Sequence, residues 1–221
     1  MLIPFASKQL ISPGANDPRI DARLGILHVD GSNAVNLHDW FDGPSGGIES
    51  HTHVRKDGHL YQYRDTDFEA DANWHANPFA FSVETQGYAD GVWTADQLAT
   101  IKRLMLWSVP NLGIPLVKPT RWDGSGWGYH TMFDQWHPEA KSCPGMQRIE
   151  QYNDILVPWM RDAREDPRVA IEDLILNSCE RNRLANNRIE EMLKRLLTPT
   201  QLANAKESSD SYARANPVRK G

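Results

Sequence analysis

The chain of 221 residues has little cysteine, no long apolar run and no excess of positive charge. Two cysteines, Cys143 and Cys179, are too few for a disulfide framework. No stretch approaches the roughly 18 consecutive apolar residues that a membrane-spanning helix needs, so we expect no membrane span. With 24 basic and 29 acidic residues the formal charge is −5, which argues against nucleic-acid binding. Residues 1–21 lack a basic start and a long apolar core, so no signal peptide is predicted.

Strand and helix patterns over residues 1–163 predict one α/β domain. Residues 24–29 form a short apolar run typical of a buried strand, and residues 81–88 have the composition of another. An Asp-Gly pair lies between two alternating stretches in residues 51–64, which predicts a hairpin. Because a tight turn joins some strands and helices separate others, we expect a mixed central β-sheet flanked by helices.

Helix signals follow the last of these strands. Thr94 with Gln97 three residues later predicts a capping box, and Gly113 predicts the helix end. The same reasoning predicts a short helix at residues 33–41 and long loops at residues 116–145. A later helix, disturbed by a proline, is predicted at residues 149–159.

The character of the chain changes after Asp166-Pro167. Residues 164–197 are charge-dense with an apolar side, which predicts a C-terminal helical extension. Residues 198–221 are polar and predict a disordered tail. Three roles remain open for this extension: self-association through the helix, contact with the cell envelope, and simple packing on the domain.

Residues 128–145 read GYHTMFDQWHPEAKSCPG and concentrate two histidines and a cysteine. A hydrolytic zinc site uses three protein ligands and keeps a fourth position open. His28 ends a predicted buried strand and, with His130 and Cys143, would complete a His-His-Cys set of this kind. The residues leave open two alternatives, His137 with Cys143 and His51 with His53.

Two charged residues suit the chemistry that such a metal would need. Glu84 lies within an apolar strand, where a carboxylate is costly to bury unless it is paired or used. Lys141 lies two residues before Cys143 and would be tethered near the metal. A base and a cation are the groups that amide hydrolysis requires.

Five segments together resemble the zinc-dependent N-acetylmuramoyl-L-alanine amidases. This family includes phage endolysins and is similar in fold to the peptidoglycan recognition proteins. The resemblance covers about residues 20–160 and rests on ILHVD, SHTHVRKDGHLYQY, NWHAN, FSVETQGY and KSCPG. Some branches place a catalytic tyrosine on the first hairpin strand, where this chain has Ser50, and this difference favours Glu84 as the base.

The resemblance implies a role for each matching residue. Zinc would be bound by His28, His130 and Cys143. Glu84 would act as general base and then as acid, Lys141 would stabilise the oxyanion, and the substrate groove would be lined by His75, Trp74 and His51.

The implied activity is zinc-dependent hydrolysis of the amide between N-acetylmuramic acid and L-alanine in peptidoglycan. A phage endolysin, held in the bacterial cytoplasm and released to the wall by a holin, is the expected context. The alternatives are a peptidoglycan-binding module without activity and an amidase for soluble muropeptides.

Overall fold

A computed structural model describes residues 1–11, 18–43, 48–137, 142–166 and 168–169. Six strands form one sheet: β1 (Ser7–Lys8), β2 (Leu24–Leu27), β3 (Thr52–Val54), β4 (Leu60–Gln62), β5 (Ala80–Thr85) and β6 (Gly126–Tyr129). Their order is β1-β4-β3-β5-β2-β6. The β3–β4 pair is antiparallel and the other neighbouring pairs are parallel. The predicted mixed sheet is therefore confirmed.

The β3–β4 hairpin turns at the predicted Asp-Gly pair. Val54 pairs with Leu60, and Arg55 and His59 close the turn with a backbone hydrogen bond of 2.9 Å. Gly58 has a φ of +78°, a conformation that side chains with a Cβ disfavour. The sequence signal therefore corresponds to a real backbone requirement.

In the described residues, four α-helices accompany the sheet: α1 (His38–Phe41), α2 (Ala95–Leu112), α3 (Met146–Gln151) and α4 (Val157–Glu165). The predicted capping box is present, since the Gln97 backbone N–H donates to Thr94 Oγ1 at 3.1 Å and the Gln97 side chain accepts from the Thr94 N–H. The helix ends at Gly113, which has a φ of +68°. Local capping chemistry thus fixes both ends of α2.

The sheet has an apolar cluster on each face. On one face Phe81 packs edge-on against Trp127 with ring centroids 6.0 Å apart, and it also contacts Trp107 of α2 at 6.3 Å. Gly25 leaves room for the indole, because a Cβ there would lie 2.4 Å from the ring of Trp127. On the other face a buried cluster is formed by Leu24, Ile26, Ala76, Ala80 and Trp136.

Three predicted elements differ from the structure. Residues 116–145 were expected to be loops but contain β6, whose Gly-Trp-Gly-Tyr composition hides a strand that pairs with β2. The predicted helix at 33–41 is limited to α1. The predicted helix at 149–159 begins earlier and is divided, with a π-helical stretch at Tyr152–Leu156 between α3 and α4. Pro158 is the second residue of α4 and directly follows the π-helical stretch, where its missing N–H cannot bond to a carbonyl of the preceding turn.

The chain divides into two units, Met1–Met160 and Arg161–Gly221. Beyond residue 169, the predicted helical extension and tail lie outside the described residues. In the part of the chain that is described, no helix has the length and hydropathy to cross a bilayer.

Candidate active site

Two histidines leave neighbouring parallel strands at the same edge of the sheet. β2 and β6 pair with Leu27 opposite Tyr129, and His28 and His130 are the next residues along the chain. Their ring centroids lie 4.3 Å apart, with the ring planes inclined at 43°. The hydrogen-bond register between the strands therefore sets the separation of the two imidazoles.

Cys143 reaches the same place from the turn before α3. Its Sγ lies 3.8 Å from Nδ1 of His28 and accepts a hydrogen bond from the backbone N–H of Val29 at 3.2 Å. One donor atom from each of His28, His130 and Cys143 lies within 4.8 Å of the others. Ligand atoms of a tetrahedral zinc site are about 3.5 Å apart, so a small contraction would suit this ion.

Each imidazole is oriented by a hydrogen bond through its Nε2. His28 Nε2 lies 2.8 Å from Oδ1 of Asn73, and His130 Nε2 lies 2.9 Å from the carbonyl oxygen of Trp136. Because both partners are acceptors, each Nε2 donates its proton, and in a neutral ring Nδ1 then carries the lone pair. Burial, then the proximity of His130, lowers the pKa of His28 well below its usual value. Neutral rings with fixed lone pairs are what a metal requires.

Glu84 lies beside this donor set on the next strand of the sheet. Its Oε1 is 3.9 Å from Nδ1 of His28 and accepts a hydrogen bond from Ser50 Oγ at 3.3 Å. Oε2 has no hydrogen-bond partner among the described residues. Burial, and secondarily the charge of Asp30, raises the pKa of Glu84 to about 8, while the Ser50 hydrogen bond opposes the shift. A carboxyl group able to exchange a proton near neutral pH thus lies next to the donors.

The alternative ligands His137, His51 and His53 do not belong to this donor set. The His137 ring lies 5.8 Å from that of His130, and the three-donor group of the described residues does not include it. His53 is buried with Nε2 3.3 Å from Asp30 Oδ2. His51 is also buried, and its two ring nitrogens contact the carbonyl of Phe68 and the N–H of Ser82 at 2.9 and 3.0 Å. The structure therefore buries His51, which was expected to line the substrate groove.

Trp74 and His75 lie at the surface, directly after Asn73 in a 3-10 segment at Asp71–Phe79. Trp74 is 46% exposed and meets the edge of the His75 ring with centroids 5.3 Å apart. Asn73 is hydrogen-bonded to His28, so Trp74 and His75 directly follow a residue that contacts the donor set. Lys141 falls outside the described residues.

A family model described as N-acetylmuramoyl-L-alanine amidase matches residues 18–146, which include every residue of the donor set and Glu84. The chain belongs to the N-acetylmuramoyl-L-alanine amidase family. At the family level its activity is therefore that of a peptidoglycan amidase. No curated protein sequence matches this amidase.

Solved structures share the fold of this amidase at low sequence identity. The N-acetylmuramoyl-L-alanine amidase LysC from Clostridium intestinale is 17% identical, with a TM-score of 0.50 over 67% of this chain and 98% of the other. The Drosophila peptidoglycan recognition protein SA is 10% identical, with a TM-score of 0.54 over 67% and 91%. The hydrolase AmiA from Staphylococcus aureus is 13% identical, with a TM-score of 0.52 over 80% and 86%.

A cavity of about 410 Å³ is lined in part by Glu84. Its wall includes Trp40 of α1 and Ile48, which are 63% and 68% exposed. Sequence reasoning did not identify this cavity, although apolar side chains beside a few polar groups are the usual composition of a ligand site. The other lining residues are Val29, Asp30, Ser32, Ala34, Asn36, Leu37 and Phe41.

Proposed function

We propose that this chain is a zinc-dependent amidase that hydrolyses the bond between the lactyl group of N-acetylmuramic acid and L-alanine in peptidoglycan. The observation that supports it is the convergence of two imidazoles and one thiol within 4.8 Å, beside a carboxylate oxygen 3.9 Å from His28 Nδ1. A family of amidases whose model spans these residues supplies the reaction class.

His28, His130 and Cys143 would hold the metal. Two neutral imidazoles and one thiolate match the ligand types and number of catalytic zinc sites. Zinc in such a site supplies Lewis acidity, polarising a carbonyl and making water nucleophilic near neutral pH. The hydrogen bonds to Asn73 and Trp136 keep both rings in the orientation that this role needs.

Glu84 would move the proton. As the oxygen of water bonds to the lactyl carbonyl carbon, the Glu84 carboxylate accepts the proton that water releases. When the carbon–nitrogen bond breaks, Glu84 returns this proton to the nitrogen of L-alanine, which leaves as an amine. The hydroxyl of Ser50 donates to Oε1 and holds the carboxyl group in place between these steps.

The remaining residues would bind the substrate and stabilise charge. Lys141 would stabilise the oxyanion that forms on the carbonyl oxygen, a role that rests on the KSCPG motif. Trp74 and His75 would form one wall of the groove from the 3-10 segment next to Asn73. The cavity lined by Trp40 and Glu84 would receive a part of the substrate.

Digestion of purified cell walls tests this proposal. We expect zinc-loaded protein to release new alanine amino groups without new reducing sugar ends, and a chelator to stop the release. New reducing ends would identify a glycosidase and overturn the proposal. Binding to walls with neither product would favour the peptidoglycan-binding module. Parallel digestion of soluble muropeptides separates an enzyme for the polymer from one for its fragments.

We also propose that the physiological role is lysis by an endolysin. A Clostridium intestinale protein of similar fold is described as an endolysin amidase, with 17% identity and a TM-score of 0.50. Expression inside bacteria should leave the culture intact until a holin is co-expressed, and optical density should then fall within minutes to hours. Lysis that does not depend on a holin would contradict the expected release route.

A further inference from the structure

A buried arginine lies behind the turn that carries Cys143. Arg148 belongs to α3, and its side chain is fully buried. Nη1 donates to the carbonyl oxygen of Pro144 at 3.1 Å and to that of Tyr88 at 2.7 Å. One guanidinium nitrogen thus connects the Cys143 turn to the segment that follows β5.

The backbone on both sides is shaped around this side chain. A Cβ at Gly87 would lie 2.4 Å from Nη2 of Arg148, and one at Gly91 would lie 3.4 Å from the same atom. A Cβ at Gly145 would lie 1.8 Å from the carbonyl oxygen of Ala89. Glycines on both segments therefore permit a close approach that larger residues would prevent.

The segment held by Arg148 is joined to the rest of the site. Gly87 donates its backbone N–H to Asp30 Oδ1 at 3.1 Å, and Asp30 lies two residues after His28. Tyr88 lies four residues after Glu84. The arginine consequently links the turn that carries Cys143 to a segment that contacts Asp30 and follows the strand of Glu84.

Burial of a guanidinium has a free-energy cost that packing alone does not explain. Nε and Nη2 of Arg148 have no hydrogen-bond partner among the described residues. Desolvation lowers the pKa of Arg148, while the charges of Cys143, Asp30 and Asp90 oppose this shift. A long apolar side chain would fill the same space without burying a cation, so the two carbonyl contacts are the feature specific to arginine.

We propose that Arg148 is a positioning residue for Cys143, which holds the turn so that the sulfur converges with the two imidazoles. The proposal rests on the zinc site of the proposed function. It assigns to Arg148 no contact with substrate and no exchange of protons.

The test measures the affinity of the full chain for zinc alone, by competition with a chromophoric chelator. We expect Arg148→Met to bind zinc about 10- to 100-fold more weakly, the effect typical of residues that orient ligands. Arg148→Lys can reach one carbonyl, so its zinc affinity should lie between that of Arg148→Met and that of the original protein. Cobalt-loaded protein should show a weaker thiolate-to-metal absorption band in the same order.

Two controls separate positioning from loss of stability. Leu104→Ala destabilises α2, whose Leu104 is fully buried, and should leave the zinc affinity of folded protein unchanged. If Arg148→Met does not fold, Gly87→Ala, which crowds Nη2, should weaken zinc binding instead.

Unchanged zinc affinity in folded Arg148→Met, or in Gly87→Ala where Arg148→Met does not fold, overturns the inference. Failure of the original chain to bind zinc overturns the proposed function itself, so the two failures are distinct.

Discussion

Asn73 Oδ1 lies 2.8 Å from Nε2 of His28, and both side chains are buried. The Nδ2 group of the same asparagine donates to Ser82 Oγ on β5 at 2.5 Å. One amide therefore ties the first candidate ligand to the strand that carries Glu84. This arrangement orients the imidazole so that Nδ1 points toward Cys143 and Glu84.

Asn73→Ala should weaken zinc binding. Loss of the acceptor leaves the His28 ring free to rotate, and substitutions of this kind cost about 10- to 100-fold in metal affinity. Competition with a chelator measures the effect, and Asn153→Ala, in the π-helical stretch, is a matched control. Equal zinc affinities for both variants would show that this hydrogen bond does not orient the ligand.

Cys143→Ala should remove stoichiometric zinc from the purified protein. Two imidazoles alone leave a site with too few protein ligands for tight binding. Elemental analysis after dialysis gives the metal content, and Cys179→Ala provides the second cysteine as a control. A full equivalent of zinc in Cys143→Ala, with none lost on dialysis, would exclude the thiolate as a ligand.

Glu84→Gln should keep the fold and the zinc but lose turnover. The amide is close in size to the carboxyl group yet accepts no proton from water, and a general base contributes about 10²- to 10⁴-fold to rate. Release of alanine amino groups measures the rate, and Glu150→Gln, exposed on α3, is the control. Turnover within a few-fold of the original would assign the base to another residue.

His51 should make the protein less stable as the pH falls. Burial lowers its pKa from 6.5 to about 4, so the unfolded state binds more protons between these two values. Stability from His51 is complete above pH 6.5 and decreases below it, by about 2 kcal/mol between pH 7 and pH 5. Urea unfolding at the two pH values should show a smaller decrease for His51→Gln than for the original protein.

His59→Gln, at an exposed position, is the control for that experiment and should keep the original decrease. If His51→Gln shows the same loss of stability between pH 7 and pH 5 as the original protein, His51 is not the source of that loss. A simultaneous fall in catalytic rate would then indicate that His51 contacts substrate.

Trp40→Ala should weaken substrate binding and leave zinc content unchanged. The indole is 63% exposed at the cavity beside Glu84, and covering part of such a ring stabilises a complex by ~1–2 kcal/mol. We expect about a tenfold higher KM for a soluble muropeptide. Val109→Ala, exposed on α2, should behave as the original. An unchanged KM would place the substrate elsewhere.

Local signals predicted the elements that local chemistry determines. The Asp-Gly turn and the Thr94–Gln97 box are decided by a few neighbouring residues, and both are present. β6 was missed because it forms only by pairing with β2, about 100 residues earlier in the chain, and the sequence alone does not show which side chains lie against its glycines. Gly128 leaves space for Trp136, whose ring would lie 2.8 Å from a Cβ at this position, and Gly126 adjoins the backbone of Val117.

The sequence predicted the donor residues of the candidate site but not the residues that support them. Motifs identified the donor residues one by one, and the structure brings His28, His130, Cys143 and Glu84 together. Asn73 and Arg148 were missed because a residue that supports another has no motif of its own. The cavity at Trp40 was missed because α1 and Ile48 meet only in the folded chain.

The parallel pairing of β2 with β6 makes the distance between His28 and His130 independent of the 101 residues that separate them in the chain. Insertions or deletions in the exposed part of the connection after α2, near Thr120 and Arg121, would lengthen or shorten a surface loop and leave the two rings opposite each other. Relatives can therefore acquire new loops beside the site, and with them new side-chain chemistry, without changing the separation of these two donors.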